Sequence, residues 1–252
     1  MTGASGFICK HLLKKLKSYT TIPHQDIQKF EIKKPGCFYF LSTYGNMNFH
    51  EDEAMIAKAN ISDLVHTVKN IIWENHPTFV FISTSSVKLE HQTFYSRTKK
   101  MAEELLLAYL EKYDAPILII RPMSVTGVGE QKEHLIPKLI DSCLNETRMP
   151  FVADPVHDFI DVEDLVDAIM VLVKAQAKGI FEIGRGRSTT NDMVRRVVEK
   201  VTGKKANLNR VDSLRAYDNN KWVSKNLKVR DYGWKPKKTL TQSVKEMVAV
   251  CT

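Results

Sequence analysis

The sequence predicts an α/β fold: a doubly wound parallel sheet covered by helices on both faces, with a small lobe at the C-terminal end. Three short apolar runs, at residues 38–42, 79–83 and 117–120, lack the alternation of polar and apolar residues that marks a half-exposed strand. Such runs are typical of parallel strands buried on both faces. Between them the apolar residues recur at helical spacing, and a helix is the usual connection between parallel strands.

The first half of the chain alternates predicted strands and helices. A short glycine turn at the N-terminus opens an amphipathic helix, whose apolar side carries Ile8, Leu12, Leu13 and Leu16. Pro77 follows the second helix, and Arg121-Pro122 closes the last strand of this half. The predicted elements are a brief strand at 20–22, strands at 38–42, 79–83 and 117–120, and helices at 61–73 and 95–112.

The pattern loosens beyond Gly127-Val128-Gly129, which suggests a second structural part. Thr190 is predicted to cap a helix that Gly203 ends. We expect residues 1–130 and 156–183 to form the larger part of the chain, and residues 131–155 and 184–252 to form the lobe. The elements predicted here are helices at 135–144, 165–178, 193–202 and 240–250, strands at 159–162 and 179–183, and a loop or short strand at 151–158.

Composition places the chain among ordinary globular proteins. Its 252 residues can bury a substantial core, as one large domain or as a domain with a small lobe. Apolar residues make up 43% and charged residues 26% of the chain. The sequence contains no run of 18 apolar residues, so no membrane span is predicted. The N-terminus lacks the basic and apolar segments of a secretory signal. Four scattered cysteines without a CxxC pair predict reduced thiols in a cytoplasmic protein, without a structural metal.

A net charge of +8 raises the question of a nucleic-acid partner. The basic residues are spread along the chain, and patches interleaved with aromatic residues are not evident. The charge therefore favours a phosphorylated, anionic substrate over a nucleic acid.

The N-terminal glycines predict a nucleotide-binding turn. Gly3 and Gly6 fit a tight turn that opens a helix, where free backbone N–H groups bind a pyrophosphate. Cys9 stands where the dinucleotide pattern has its third glycine, and only two residues precede the turn as a strand. The same glycines fit an ordinary helix start. Asp26 either holds an adenine ribose or is a loop aspartate, which leaves both NAD and NADP open.

The segment Phe79–Lys99 carries candidate proton chemistry. Its apolar run ends in a hydroxyl cluster, Thr84-Ser85-Ser86, and a helix then begins near Tyr95. A spacing of four places Tyr95 and Lys99 on the same helix face. An ammonium beside a phenol favours the phenolate, so we expect Lys99 to lower the pKa of Tyr95. Tyr95 is then a candidate acid/base and Thr84 orients the reacting oxygen, with an exposed helix pair as the alternative.

With these residues placed, the chain resembles the NAD-dependent epimerase/dehydratase family, which belongs to the extended short-chain dehydrogenases/reductases. The resemblance runs through nearly the whole chain in the family's order, and it implies a Rossmann-like, doubly wound parallel sheet with a small C-terminal substrate lobe. The matching segments are Thr2–Ile8, Leu41-Ser42-Thr43, Asn60, Ser83–Val87, Tyr95 with Lys99, Arg121-Pro122, His157–Leu165, Phe181–Gly184 and Asp231–Pro236.

The resemblance also implies roles for individual residues. The catalytic residues would be Thr84, Tyr95 and Lys99. The cofactor, NAD or NADP, would be held by Gly3, Ser5, Gly6, Phe7, Ile8, Leu41, Ser42, Asn60, Tyr95, Lys99 and Pro122. The substrate, a nucleotide sugar, would be bound by Thr84, Ser85, Ser124, His157 and Arg187.

Departures from the family pattern narrow the reaction. The family's 4,6-dehydratases carry an acidic pair directly after the active threonine, where this chain has Ser85 and Ser86. Serine cannot act as a carboxylate acid or base, which disfavours dehydratase and decarboxylase chemistry. His157 replaces an arginine that often binds the substrate diphosphate, and Arg185 or Arg187 is a candidate to compensate. We expect the chain either to be a compact member of this family or to have its true start upstream.

We therefore expect an NAD(P)-dependent sugar-nucleotide epimerase or 4-ketosugar reductase, with hydride transfer at a ring carbon and Tyr95 as acid/base. The alternative is a non-catalytic NAD(P)-binding scaffold or sensor of the same fold, suggested by the short first strand, Cys9 and His157. A homodimer is a further expectation, whereas a membrane or nucleic-acid partner is not expected. The sugar and its nucleotide stay open.

Overall fold

A computed structural model describes residues 1–29, 36–47, 49–71, 73–75, 77–213, 221–224 and 227–251. The helices are α1 (Phe7–Leu13), α2 (Glu53–Ala57), α3 (Asp63–Lys69), α4 (Phe94–Tyr113), α5 (Leu135–Asn145), α6 (Val162–Lys174), α7 (Asn191–Thr202) and α8 (Leu240–Ala249). The strands are β1 (Cys37–Phe40), β2 (Thr78–Ile82), β3 (Ile117–Pro122), β4 (Ser124–Thr126), β5 (Met149–Phe151), β6 (Val156–His157), β7 (Phe159–Asp161), β8 (Gly179–Ile183), β9 (Thr189–Thr190), β10 (Leu208–Arg210) and β11 (Lys221–Trp222).

The main sheet has four strands in the order β1-β2-β3-β8. Strands β1 and β2 run parallel with Phe38 opposite Phe79, and β2 and β3 run parallel with Phe79 opposite Ile117. Helices connect these strands along the chain, as parallel pairing requires. The predicted fold class, a Rossmann-like parallel sheet flanked by helices, is confirmed.

Thr2, which lies directly ahead of the glycine turn, pairs with two neighbouring segments. It forms parallel bridges with Ile22 on one side and Phe40 on the other. The Thr2 N–H donates to the Tyr39 carbonyl at 3.0 Å, and the Ile22 N–H donates to the Met1 carbonyl at 2.8 Å. The brief strand predicted at 20–22 is therefore a single bridge. Thr2 is fully buried, and its pairing covers part of the β1 edge.

Aromatic side chains form the centre of the core beside this sheet. Phe38, Phe40, Phe79 and Phe81 alternate along β1 and β2 and lie in one apolar cluster with Trp73. The rings of Phe38 and Phe79 stack with centroids 5.6 Å apart. The residues between them, such as Val80, are buried on the opposite face, as the uninterrupted apolar runs predicted.

The chain divides into two compact units. The first comprises Met1–Pro122 and Ala168–Glu182, and the second comprises Met123–Asp167 and Ile183–Thr252. Each unit has its own apolar core, with Phe79 at the centre of the first and Leu139 in the second. The predicted assignment of 1–130 and 156–183 to cofactor binding, and of 131–155 and 184–252 to substrate binding, stays a prediction.

In the residues that the structure describes, the second unit contains α5, α7, α8, the start of α6 and several short strands. Helix α7 packs against both α5 and α8. Strands β10 and β5 pair, β11, β6 and β9 form a small sheet, and β4 pairs in parallel with β7. The hydroxyl of Thr190 accepts the Met193 N–H at 3.1 Å, and Gly203 ends α7 with φ +69°. Both predicted boundaries of this helix are thus explained by its caps.

The helix predicted at 61–73 begins earlier and is interrupted. The Asp52 carboxylate accepts the Met55 N–H at 2.9 Å and starts α2 there. A π-helical turn, Lys58–Ser62, joins α2 to α3. The segment 52–62 does contain apolar residues, but only Ile56 and Ala59 among them are buried, so the start of this helix is not marked by a continuous apolar face. A π-turn is a common feature near functional sites, and this one contains Asn60.

Neither a membrane span nor a metal cluster is found in the residues that the structure describes. None of the helices in these residues is both long and apolar enough to cross a membrane. Within the same residues, no three or more His, Cys, Asp or Glu side chains are arranged to hold a metal ion.

We predict that Phe79→Ala lowers the free energy of unfolding by ~3–5 kcal/mol, because it opens a cavity among stacked rings. Denaturant unfolding followed by circular dichroism measures the change. Phe49→Ala is the matched control, since 62% of that side chain is exposed. Equal effects of the two substitutions would contradict a core centred on Phe79.

Candidate active site

The glycine turn is locked to the end of β1. Gly3 has φ +72°, and a Cβ at this position would lie 2.7 Å from the Leu41 carbonyl carbon. The Thr2 hydroxyl accepts the N–H groups of Leu41 at 3.2 Å and Ser42 at 3.1 Å. Only glycine combines this conformation with this close approach. The turn therefore presents backbone beside the strand end, which is the surface that a dinucleotide's pyrophosphate needs.

The predicted cofactor residues of the turn lie in sequence around the start of α1. The Gly6 N–H donates to the Gly3 carbonyl at 3.0 Å, which closes the turn. Ser5 and Gly6 are exposed, and Phe7 and Ile8 are partly buried as the first residues of α1. This arrangement fits the cofactor implied by the resemblance, because the exposed backbone at Gly6 is accessible to a pyrophosphate.

Cys9 occupies the position of the third glycine in the dinucleotide-binding pattern, and it lies in the protein interior. Its side chain is fully buried, and its Sγ lies 3.5 Å from the Met1 Sδ. Burial raises the pKa of the Cys9 thiol. The Cys9 sulfur thus packs against Met1, the residue before Thr2.

Asn60 holds the loop after β1 against α4. Its Oδ1 accepts the Thr43 hydroxyl at 2.9 Å, and its Nδ2 donates to the Tyr44 carbonyl and the Thr98 hydroxyl, both at 3.0 Å. The side chain is fully buried within these contacts. We expected Asn60 to bind the cofactor; in this structure its amide is bonded to protein groups, and it positions the loop that contains Thr43.

Thr84 lies at the carboxyl end of β2 and caps the next turn. Its Oγ1 accepts the Ser86 N–H at 3.2 Å and lies 3.0 Å from the Ser86 hydroxyl. The capped segment, Ser85–Lys88, is a 3₁₀ helix that packs against α4. This local capping fixes the Thr84 hydroxyl at the strand end, which is the position predicted for it.

Tyr95 and Lys99 lie in the first turns of α4. The Thr93 hydroxyl accepts the Ser96 N–H at 3.2 Å and starts the helix just before Tyr95. Tyr95 is partly buried, whereas only 1% of Lys99 is exposed. The Lys99 Nζ lies 4.0 Å from the centroid of the Phe81 ring, a cation–π distance. The alternative of an exposed helix pair is therefore wrong for Lys99.

The charge states of this pair differ from the expected ones. Burial raises the pKa of Tyr95 to about 12, although a hydrogen bond with Thr43 acts in the opposite direction. Burial lowers the pKa of Lys99 to about 7, and the charge of Glu103 opposes this shift. The expectation that Lys99 lowers the pKa of Tyr95 is therefore wrong when only the groups of the protein act on it. Burial keeps Tyr95 as a neutral phenol, the form that donates a proton.

A buried ion pair lies beneath α4 and was not predicted from the sequence. Glu103 accepts hydrogen bonds from the Ser83 hydroxyl and from the Arg121 guanidinium, whose Nε lies at 2.9 Å. Only 1% of the Glu103 side chain is exposed. The spacing of four residues between Lys99 and Glu103 could have indicated this buried carboxylate, since it places both side chains on the same helix face. Pro122, a predicted cofactor residue, is buried and directly follows Arg121.

Three of the predicted substrate residues, Ser124, His157 and Arg187, belong to the second unit. The Ser124 hydroxyl lies 3.1 Å from the His157 Nδ1, and the His157 ring lies 5.7 Å from the Trp222 ring. Arg187 is exposed, and its N–H donates to Asp158 at 3.4 Å. Asp158 is fully buried and also accepts N–H groups of the same turn, which fixes the backbone at Arg187.

Comparison with known sequences gives one family and several relatives. The model of the NAD dependent epimerase/dehydratase family matches residues 32–184, more than half of the chain. The low-salt glycan biosynthesis protein Agl12 of Haloferax volcanii is 30% identical over 146 residues, which cover 56% of this chain and 47% of that protein. The CDP-abequose synthase of Salmonella typhimurium is 22% identical over 290 residues, covering 98% and 96%. The chain spans less than half the length of the first relatives that it matches.

Solved structures share the fold over nearly the whole chain. MoeE5 in complex with UDP-glucuronic acid and NAD superposes with a TM-score of 0.87 at 20% identity, covering 98% of this chain and 96% of that one. Further structures of this fold contain NAD or NADPH. At such identities the likeness establishes the fold.

We predict that Lys99→Met raises the free energy of unfolding at pH 7 by ~2 kcal/mol, because a lysine with a lowered pKa is unfavourable in the folded state. The unfolded chain binds the extra proton between pH ~7 and ~10, so wild-type stability rises with pH in this window. The gain from the substitution should therefore shrink toward pH 10. Urea unfolding at pH 7 and 9.5 measures it, with exposed Lys100→Met as control. A gain that is independent of pH would refute this prediction.

We also predict that Glu103→Gln lowers the free energy of unfolding by ~3–5 kcal/mol, because it leaves the Arg121 charge buried without its partner. Exposed Glu104→Gln on the same helix should change it by less than ~0.5 kcal/mol. Replacing both partners, Glu103→Met with Arg121→Met, should recover most of the loss. Thermal and denaturant unfolding test all three variants, and a mild effect of Glu103→Gln would contradict the ion pair.

Proposed function

Because the chain belongs to the NAD dependent epimerase/dehydratase family, we propose that it is an NAD(P)-dependent enzyme that epimerises or reduces a nucleotide-activated sugar at a ring carbon. The observation that carries this proposal is the burial of Lys99 on α4, against Phe81 of β2 and one helical turn after Tyr95. Lys99 forms no ion pair with any residue that the structure describes, so a purely structural role gives no reason for its burial. A cofactor-binding or catalytic role of Lys99 would give a reason for its burial.

The cofactor would lie along the carboxyl ends of the first unit's strands. Gly3, Ser5 and Gly6 would face the pyrophosphate, and Leu41 and Ser42 would follow the adjoining ribose. Lys99 would donate hydrogen bonds to the nicotinamide ribose. When bound, the nicotinamide supplies hydride-transfer chemistry at the sugar carbon.

The protein's own groups would handle the proton. Tyr95, neutral at working pH, would donate its phenolic proton to the sugar oxygen as a ketone is reduced, and accept it again in the reverse direction. The Thr84 hydroxyl would hydrogen-bond the same oxygen and fix its orientation. The Thr43 hydroxyl, which also bonds to Asn60, would hold the phenol in place between the two half-reactions.

The two residues after Thr84 disfavour elimination chemistry. Ser85 and Ser86 offer hydroxyls in a capped 3₁₀ turn, and neither can act as a carboxylate acid or base. An epimerase or a 4-ketosugar reductase therefore fits better than a dehydratase. In an epimerase the cofactor stays bound, whereas a reductase consumes external NADH or NADPH.

Substrate recognition is assigned to the second unit. Residues 131–155 and 184–252 would bind the nucleotide sugar, with Arg187 as a cation for the diphosphate. Ser124 and His157, which lie outside these ranges, would add a polar pair. Ser85 is also proposed to contact the sugar. A homodimer and a cytoplasmic location remain predictions.

A second candidate is a cofactor-binding scaffold or sensor without catalysis. Two departures from the family pattern favour it: Cys9 stands where the dinucleotide pattern has its third glycine, and His157 stands where the family often has an arginine. Cofactor binding without turnover of any 4-keto or 4-hydroxy sugar nucleotide would support this candidate against the first.

We predict that Tyr95→Phe lowers kcat by ~10²–10⁴-fold with little change in cofactor binding, because it removes the proton donor but keeps the ring. Purified protein is assayed with 4-keto and 4-hydroxy sugar nucleotides, with and without added NADH or NADPH. Tyr113→Phe, at the far end of α4, is the matched control and should keep full activity. Full activity of Tyr95→Phe would overturn the mechanism. Mass spectrometry of natively purified protein, showing bound NAD, would favour the epimerase.

A further inference from the structure

A buried carboxylate, Asp63, gathers three side chains at one edge of the first unit. Its Oδ1 and Oδ2 accept the Lys58 ammonium at 3.0 and 3.2 Å, and Oδ1 accepts the Gln28 amide at 3.1 Å. The His24 Nδ1 lies 3.5 Å from Oδ2. We call His24, Gln28, Lys58 and Asp63 the Asp63 cluster. The His24 and Lys58 side chains contact the same carboxylate oxygen, Oδ2, so they are held close together.

The cluster adjoins the strand ends that form the cofactor surface. The His24 Nδ1 lies 3.5 Å from the Ser42 hydroxyl, and the Ser42 N–H is bonded to Thr2. His24 also lies two residues after Ile22, which pairs in parallel with Thr2. In dinucleotide-binding sheets the adenine ribose lies beyond the end of the strand that neighbours the glycine-turn strand. The cluster thus occupies the region of the ribose 2′ position.

The chemistry of this region suits an anion better than a ribose diol. NAD-specific sites place a carboxylate at this strand end to accept the 2′-hydroxyl. Here the side chain is an imidazole, and the nearby carboxylate of Asp63 is fully buried and bonded on both oxygens. His24 and Lys58 are each about half exposed, at 46% and 47% of their side chains. Their remaining donors, the His24 Nε2 and one ammonium N–H of Lys58, are available to a ligand.

We infer that the Asp63 cluster binds the 2′-phosphate of NADP(H), with His24 and Lys58 as donors and Asp63 as the buried anchor that orients both. This inference rests on the proposed function. A phosphate accepts charge-assisted hydrogen bonds from both groups, which a hydroxyl does not do equally well. The cofactor of this chain is then NADP(H) rather than NAD(H), and Asp26 is not the ribose ligand.

The test measures cofactor binding without turnover. Dissociation constants of NADPH and NADH are obtained by fluorescence titration of purified full-length protein at one fixed salt concentration. Adenosine 2′,5′-bisphosphate and 5′-AMP are used as competitors that lack the nicotinamide. The wild type should bind NADPH ~10-fold or more tightly than NADH, and the bisphosphate more tightly than AMP, because a charged hydrogen bond is worth that factor or more.

Two substitutions separate the cluster from the rest of the cofactor site. Lys58→Met and His24→Gln should each weaken NADPH binding ~10-fold while NADH binding changes less than ~2-fold. Lys69→Met, an exposed lysine of α3, is the charge-matched control and should leave both constants unchanged. Because His24→Gln leaves Lys58 and Gln28 on Asp63, it keeps the buried carboxylate paired even if Lys58→Met fails to fold.

The outcomes distinguish the inference from the proposed function. NADH binding as tight as NADPH in the wild type overturns the inference and leaves the proposed function standing. A preference for NADPH that both substitutions leave intact also overturns it, because the phosphate then binds elsewhere. Failure of both cofactors to bind overturns the inference and the proposed function together.

Discussion

The buried carboxylate of Glu103 is the interaction on which the arrangement of the first unit depends. It joins three elements, because it lies on α4 and bonds to Ser83 at the end of β2 and to Arg121 at the end of β3. A carboxylate with 1% exposure is strongly unfavourable unless it is fully paired, so this bonding holds the helix in one register against both strands. Thr84 directly follows Ser83, and Tyr95 precedes Glu103 by two helical turns. The relative positions of the proposed proton-handling groups follow from this one pairing.

A second constraint is the bonding of Thr2, directly ahead of the glycine turn. Thr2 bridges two neighbours through its backbone and bonds to the loop after β1 through its hydroxyl. Gly3 permits the close approach of the turn to Leu41 by adopting positive φ. The backbone and the hydroxyl of Thr2 together therefore position the turn beside Leu41.

Burial, rather than pairing, controls the charges of the candidate site. Lys99 and Tyr95 are both shifted toward their neutral forms, because the interior disfavours the ammonium and the phenolate alike. The cation–π contact between the Lys99 ammonium and the Phe81 ring compensates only part of the cost of burying Lys99. The first unit therefore gives up some stability close to the proposed proton donor.

The sequence by itself determined the elements and the order of the site. Uninterrupted apolar runs produced the strands at Phe38 and Phe79, and Thr190 with Gly203 bounded α7, because these signals act between near neighbours in the chain. The same holds for Tyr95 and Lys99 on one helix. Only the tertiary structure decided the direction of their pKa shifts, the engagement of the Asn60 amide by protein groups, the Glu103 ion pair and the gathering of His24 and Lys58 around Asp63. Each depends on burial or on contacts between segments far apart in the chain, which local patterns do not contain.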